Sequence, residues 1–170
     1  MTPYVLTVDA GLKDLREADH LLQALAAGLD LPEGSFGCTH LVRDERPRVA
    51  LSLAVESGEA LLSARRQLTE AGYEVSEGAP DEVGRAVLYP GAAHLTGTVS
   101  VAELLSRSAI ARVTVLGTTQ PPSAQTAVVT RDHVRPQWLD GELVLAVQPA
   151  AGGTLTPFEV PDPTPCCADH

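Results

Sequence analysis

Hydrophobic spacing in the first half of the chain switches between two periods in a fixed order, and that order leaves few folds open. Tyr4–Asp9 (YVLTVD) is short and β-rich, as a strand should be. Asp14 and Glu17 stand at capping-box spacing. Leu15, Ala18, Leu22, Leu25 and Leu29 then recur every three or four residues, the apolar stripe of an amphipathic helix. Gly28 or Asp30-Leu31-Pro32 closes that helix. Phe36–Val42 reads as a second strand and Asp44–Pro47 as a turn. Arg48–Val55 is a third strand, with Val49, Leu51, Leu53 and Val55 on one face. Ser57 is placed to cap a second helix with the stripe Leu61, Ala64, Leu68 and Ala71. Gly72 stands where a C′ glycine belongs, and Tyr73–Val75 opens a fourth strand.

A β-α-β-β-α-β succession predicts the α+β class. Over residues 1–78 it is the ferredoxin-like pattern, an antiparallel sheet with both helices on one face. Residues 79–160 read as a β-rich part with one short helix. That helix opens at the Ser100/Glu103 capping box and runs through Ala109. Short strands are expected at Ala86–Tyr89, Arg112–Leu116, Ala127–Thr130, Gln137–Leu139, Glu142–Val147 and Thr154–Val160, with Asp140-Gly141 as a hairpin turn. Residues 161–170 form a Pro-rich tail ending Cys166-Cys167-Ala168-Asp169-His170.

Two stretches of residues 4–77 carry a family resemblance. Thr7-Val8-Asp9-Ala10-Gly11-Leu12, before the first helix, and Arg66 to Val75 (RQLTEAGYEV), at the end of the second, resemble the ACT group of ferredoxin-like regulatory domains. The resemblance implies a small ligand, such as an amino acid, bound near the first loop and helix. It also implies pairing of two copies into a homodimer. The chain departs from the usual pattern where Lys13-Asp14, not an apolar helix start, follows the loop glycine Gly11.

Charge removes other classes of partner. The net charge is −10, from 22 acidic and 12 basic residues, with no Lys/Arg cluster. Such a surface repels a phosphate backbone and an anionic membrane, so no nucleic acid and no membrane are expected as partners. The opening MTPYVLTVDA has no basic stretch followed by an apolar run, so no export signal is expected. With three cysteines, Cys38, Cys166 and Cys167, no even disulfide framework can be drawn, and a cytoplasmic location is expected.

Chemistry-bearing residues are few. The tail puts Cys166, Cys167 and His170 together, ligands suited to a Zn, Cu or Ni ion. Cys38 and His40, in C-x-H spacing on a strand, share one face and complete a four-ligand set. The plainer reading makes Cys38 a small core hydrophobe and the tail an exposed terminus. Arg131 and Arg135, flanking His133, form a candidate carboxylate-binding site, against the plainer reading of a solvated strand end. His20 reads as solvated and His94 as a surface-loop residue. Acidic residues fall on helix faces and turns, where solvated charge usually lies. No Gly-x-Ser-x-Gly, P-loop, Gly-x-Gly-x-x-Gly or His-Glu-x-x-His is present. Cys38 and His40, as same-face neighbours on a strand, are about 6.5–7 Å apart, too far for a nucleophile–base pair.

Three functions follow in order. The first is a non-enzymatic small-ligand-binding or regulatory module. The second is a soft-metal-binding protein using the tail with Cys38 and His40. The third is a small enzyme with a cleft between the two halves and His94 or His133 as its base.

Overall fold

The computed structural model describes residues 3–161. They form three helices and eleven strands, an α+β protein that is mostly sheet. Among them no helix is long and apolar enough to cross a membrane. The expected ligands Cys166, Cys167 and His170 lie outside the described residues. Two compact units are present. The first runs from the start of the described chain to Pro90 and takes in Gln137–Gly141; the second comprises Gly91–Pro136 and continues from Glu142.

In the first unit the elements follow the predicted order: β1 (Tyr4–Leu12), α1 (Leu15–Leu29), β2 (Phe36–Val42), β3 (Arg48–Val55), α2 (Gly58–Glu70) and β4 (Glu74–Glu77). They lie in the order β4-β1-β3-β2, and each neighbouring pair is antiparallel. β5 (Arg85–Leu88) adds to β2, and β9 (Gln137–Leu139) adds to β5.

Local chemistry fixes the helix ends. The Asp14 carboxylate accepts the Glu17 N–H at 2.7 Å, and Asp30 ends α1 in the left-handed region (φ 51°). Ser57 Oγ accepts the Ala60 N–H at 3.3 Å, and Gly72 follows α2 at φ +92°. Val8, Ala18, Leu22, Val49, Leu51, Leu53 and Leu68 form one buried cluster. Since Val49, Leu51 and Leu53 alternate along β3, both helices pack on the same sheet face. Gly37 on β2 also faces them; a Cβ there would lie 3.1 Å from Leu22 Cδ1. Ala71, expected in the α2 stripe, is exposed, because the helix ends one residue earlier.

One acidic residue corrects the expectation of solvated charge. Asp19 on α1 is buried and holds Arg85 of β5 in a two-pronged ion pair, at 2.6 and 3.1 Å. Arg85 also donates to Thr39 Oγ1 at 3.2 Å.

The second unit is built on β10 (Glu142–Ala150). β11 (Thr154–Pro157) pairs with it antiparallel and β7 (Arg112–Val115) parallel. β8 (Ala127–Val129) runs parallel to β11, and β6 (Thr98–Ser100) antiparallel to β8. β6 was not anticipated, since its three residues are too few to show a period. The helix α3 (Val101–Arg107) has its Ser100 cap, with the Glu103 N–H bound at 3.0 Å, and stops at Ser108 short of Ala109. Asp140 and Gly141 both have positive φ, at 51° and 80°, as an Asp-Gly turn requires.

Candidate functional site

Two concave sites lie in the first unit. The larger, about 900 Å³, is lined by three chain reversals at one end of the sheet: Asp9 to Lys13 after β1, Glu45 to Arg48 at the β2–β3 turn, and Gly72 to Glu74 before β4. Gly11 turns at φ +67°, and its N–H donates to Asp9 Oδ1 at 3.0 Å. Arg48 is the hinge of the charge network. Its Nε donates to Asp9 Oδ2 at 2.6 Å, and its Nη1 to both Asp44 oxygens at 2.9 Å. Partial burial pushes the Asp9 carboxyl up, but the Arg48 guanidinium and the Gly11 N–H outweigh it and hold the pKa below the usual carboxylate range. Asp44 is held low by the same guanidinium and by the Arg46 N–H. Lys13 and Arg46 bring further positive charge to the groove, facing Glu45 and Glu74 as its other acids. Opposed charges on a concave surface suit a small ligand carrying both signs.

The smaller cavity, about 190 Å³, lies on the sheet face opposite the helices. Phe36, Cys38 and His40 of β2, Ser52 and Ala54 of β3, and Val5 of β1 alternate onto it. The segment Ala79–Gly84 and Trp138 of β9 complete its walls, and Trp138 packs at a tilt on Phe36, ring centroids 5.3 Å apart. Gly84 allows the close approach: a Cβ there would sit 3.0 Å from Cys38 Cβ and 3.1 Å from His40 Cε1.

His40, 3% exposed, is tied at both ring nitrogens. Nδ1 lies 2.9 Å from Asp81 Oδ1 and Nε2 lies 2.7 Å from Ser52 Oγ. The Asp81 oxygen also accepts the Val83 N–H at 2.9 Å, which fixes the carboxylate in its own loop. A carboxylate only accepts, so Nδ1 carries the proton toward Asp81. In the neutral ring Nε2 is then the acceptor, and the Ser52 hydroxyl donates to it.

Cys38 and His40 do share one face, as C-x-H spacing requires. A metal-ligand role for His40 would break one of its two hydrogen bonds. Burial pushes the Cys38 thiol up to about 11, against partial opposition from hydrogen bonds with Trp138 and Ser52, so it stays protonated at neutral pH. Among the described residues no group of three or more His, Cys, Asp or Glu is arranged to hold a metal ion.

The raised thiol pKa has a consequence for stability. The thiol's reference value is 9.0 and its folded value about 11. Stabilisation from keeping it neutral is therefore complete below the lower value and lost as pH rises through the higher one. The full loss is about 2–3 kcal/mol. Urea unfolding at about pH 8 and about pH 10.5 is expected to show a larger alkaline loss for the natural chain than for Cys38→Ala. Equal losses in the two proteins would contradict the assignment.

In the second unit, Arg131 and Asp132 occupy an exposed turn with φ 56° and 55°, anchored by the Gly97 N–H donating to Asp132 Oδ1 at 2.7 Å. His133 Nε2 pairs with Glu159 Oε2 at 2.7 Å. The chain's own carboxylate thus sits on the central residue of the expected carboxylate site. Arg135 is half-buried, its Nη1 3.5 Å from the Val134 carbonyl oxygen. His20 and His94 are exposed, as expected.

Comparison of the chain with protein-family models, with curated proteins and with solved structures returned no match.

Ser52 and Asp81 were not singled out in the sequence, nor were Arg46, Arg48 and Glu74. For Ser52 a signal existed. Ending β2 at Val42 and starting β3 at Arg48 sets Cys38 opposite Ser52, which puts His40 diagonal to Ser52 on the same face.

Proposed function

We propose that the first unit is a ferredoxin-like, ACT-like module that binds a small zwitterionic ligand in the groove beside Gly11. The carrying observation is the groove's place and charge: it adjoins the β1–α1 loop and brings Lys13, Arg46 and Arg48 against Asp9, Glu45 and Glu74. Support for the fold reading comes from the β-α-β-β-α-β order, the strand order β4-β1-β3-β2 and the single helix-bearing face. Charge complementarity selects an amino acid or a related carboxylate. In this reading the chain is not an enzyme at this groove, acts in a reducing cytoplasm that suits the free thiol of Cys38, and pairs through the first unit.

The test is thermal unfolding against a panel of amino acids, with and without divalent metal. One member is expected to stabilise the protein by about 2.7 kcal/mol at about a hundred times its Kd, independently of metal. Lys13→Ala/Arg46→Ala, on exposed side chains, is expected to remove the shift and leave unliganded stability unchanged. A panel with no effect, or a double variant that responds like the natural chain, would sink the reading.

A further inference from the structure

The cavity on the opposite face shares no lining residue with the groove. Its polar groups form a directed chain. The hydroxyl of Ser52 donates to His40 Nε2 at 2.7 Å, and the other ring nitrogen donates to Asp81 at 2.9 Å. A hydroxyl becomes a useful nucleophile when a neutral imidazole accepts its proton and a carboxylate fixes the ring's tautomer. A hydroxyl, an imidazole and a carboxylate stand in that order here, and all three side chains line the same cavity.

We infer that Ser52 is a nucleophile for short-chain acyl esters, with His40 as its general base and Asp81 as the positioning residue. A volume of about 190 Å³ walled by Phe36, Ala54 and Trp138 admits a short acyl group and little more. Ser52 Oγ attacks the ester carbonyl carbon while its proton passes to His40 Nε2. The carbon–alkoxy bond then breaks, and the same proton leaves with the alcohol. Water, deprotonated by His40, hydrolyses the acyl-serine to carboxylic acid and free Ser52. Cys38 lines the same cavity, but the hydroxyl bonded to the base His40 is that of Ser52.

The experiment treats the full chain with a small alkyl fluorophosphonate, which a serine nucleophile attacks at phosphorus with loss of fluoride. Intact mass and the tryptic peptide Val49–Arg65 locate the adduct. One adduct on Ser52 is expected, absent from Ser52→Ala and from the natural chain in urea. Asp81→Asn changes a side chain that is 44% exposed and so keeps the fold. It is expected to slow labelling by about a hundredfold or more and to alter its pH–rate profile, because an amide can donate to Nδ1 and hold the ring in the wrong tautomer. A merely structural Asp81 would leave that profile in place. p-Nitrophenyl acetate hydrolysis should fall in parallel. No adduct on the folded natural chain, an adduct on Cys38 instead, or equal labelling of folded, urea-treated and Asp81→Asn protein would each overturn the inference. None of these outcomes bears on ligand binding in the groove.

Discussion

Asp19→Ala is expected to destabilise the first unit by about 3–5 kcal/mol, a large part of the stability of an ordinary domain. The cost comes less from the bond lost than from the charge left behind. Arg85 is 9% exposed and its guanidinium points at Asp19 through both terminal nitrogens. Without the carboxylate, a charge that water cannot reach has lost its main compensation. Thr39 Oγ1 remains as an acceptor at 3.2 Å, but a neutral oxygen cannot replace an ionic one. The reciprocal change, Arg85→Ala, takes from a buried carboxylate the guanidinium that binds both its oxygens and should cost a similar amount. Replacing both, Asp19→Leu with Arg85→Met, is expected to recover most of the loss, because a packed apolar pair carries no desolvation cost. A double-mutant cycle of the natural chain, Asp19→Ala, Arg85→Ala and Asp19→Ala/Arg85→Ala, followed by urea unfolding, measures the coupling. Additive losses would show that the pair is not coupled.

That ion pair joins elements that no local pattern links. The helix stripes, caps and strand alternation of the first unit were legible because each depends on residues within one element. Asp14, Ser57 and Ser100 each accept the N–H three residues on. Asp19 sits beside the apolar stripe of α1 and looks solvated until β5 is known to lie under the helix. β5 is four residues long, follows a Gly/Pro-rich stretch, and is placed by pairing with β2, far away in sequence. The same limit applies to the second unit. Its parallel pairs, β7 with β10 and β8 with β11, join segments too short to announce a partner.

The two cavities divide along the same line. The hairpin register alone puts Cys38, His40 and Ser52 on one face. Distance along the strand sets Cys38 and His40 about 6.5–7 Å apart, too far for a nucleophile and its base. The partner that satisfies His40 lies across the hairpin, where cross-strand diagonals bring side chains together. Asp81 was out of reach, because it comes from a loop whose path over the sheet no local pattern encodes. The groove was half legible. The resemblance at Thr7–Leu12 points to the β1–α1 loop, where Asp9 and Lys13 lie, but Glu45, Arg46, Arg48 and Glu74 come from the β2–β3 turn and from the start of β4. They read as ordinary turn residues until folding gathers them.

Gly91→Ala is expected to cost the second unit about 2–5 kcal/mol through two separate effects. Gly91 has φ +87°, where an L-residue pays about 1–2 kcal/mol. The second effect is contact. A Cβ on Gly91 would stand 2.0 Å from the Arg107 carbonyl oxygen and 2.5 Å from Ser108 Cα. Both are backbone atoms at the end of α3, so no rotamer change relieves the clash, and displacing them costs about a further 1–3 kcal/mol. The helix end cannot shift freely either. Leu104 and Ile110 on either side of it are buried, and Ser108 Oγ is bonded to the Leu104 carbonyl oxygen at 2.7 Å. Gly117 supplies the control, since it has the same φ of +87° with nothing within 4 Å of its Cβ position. Gly117→Ala should therefore show the conformational cost alone, offset in part by the reduced freedom of the unfolded chain. The two variants, compared by urea unfolding, separate strain from contact. If both lose the same stability, the backbone approach at Gly91 is not the constraint that the geometry makes it.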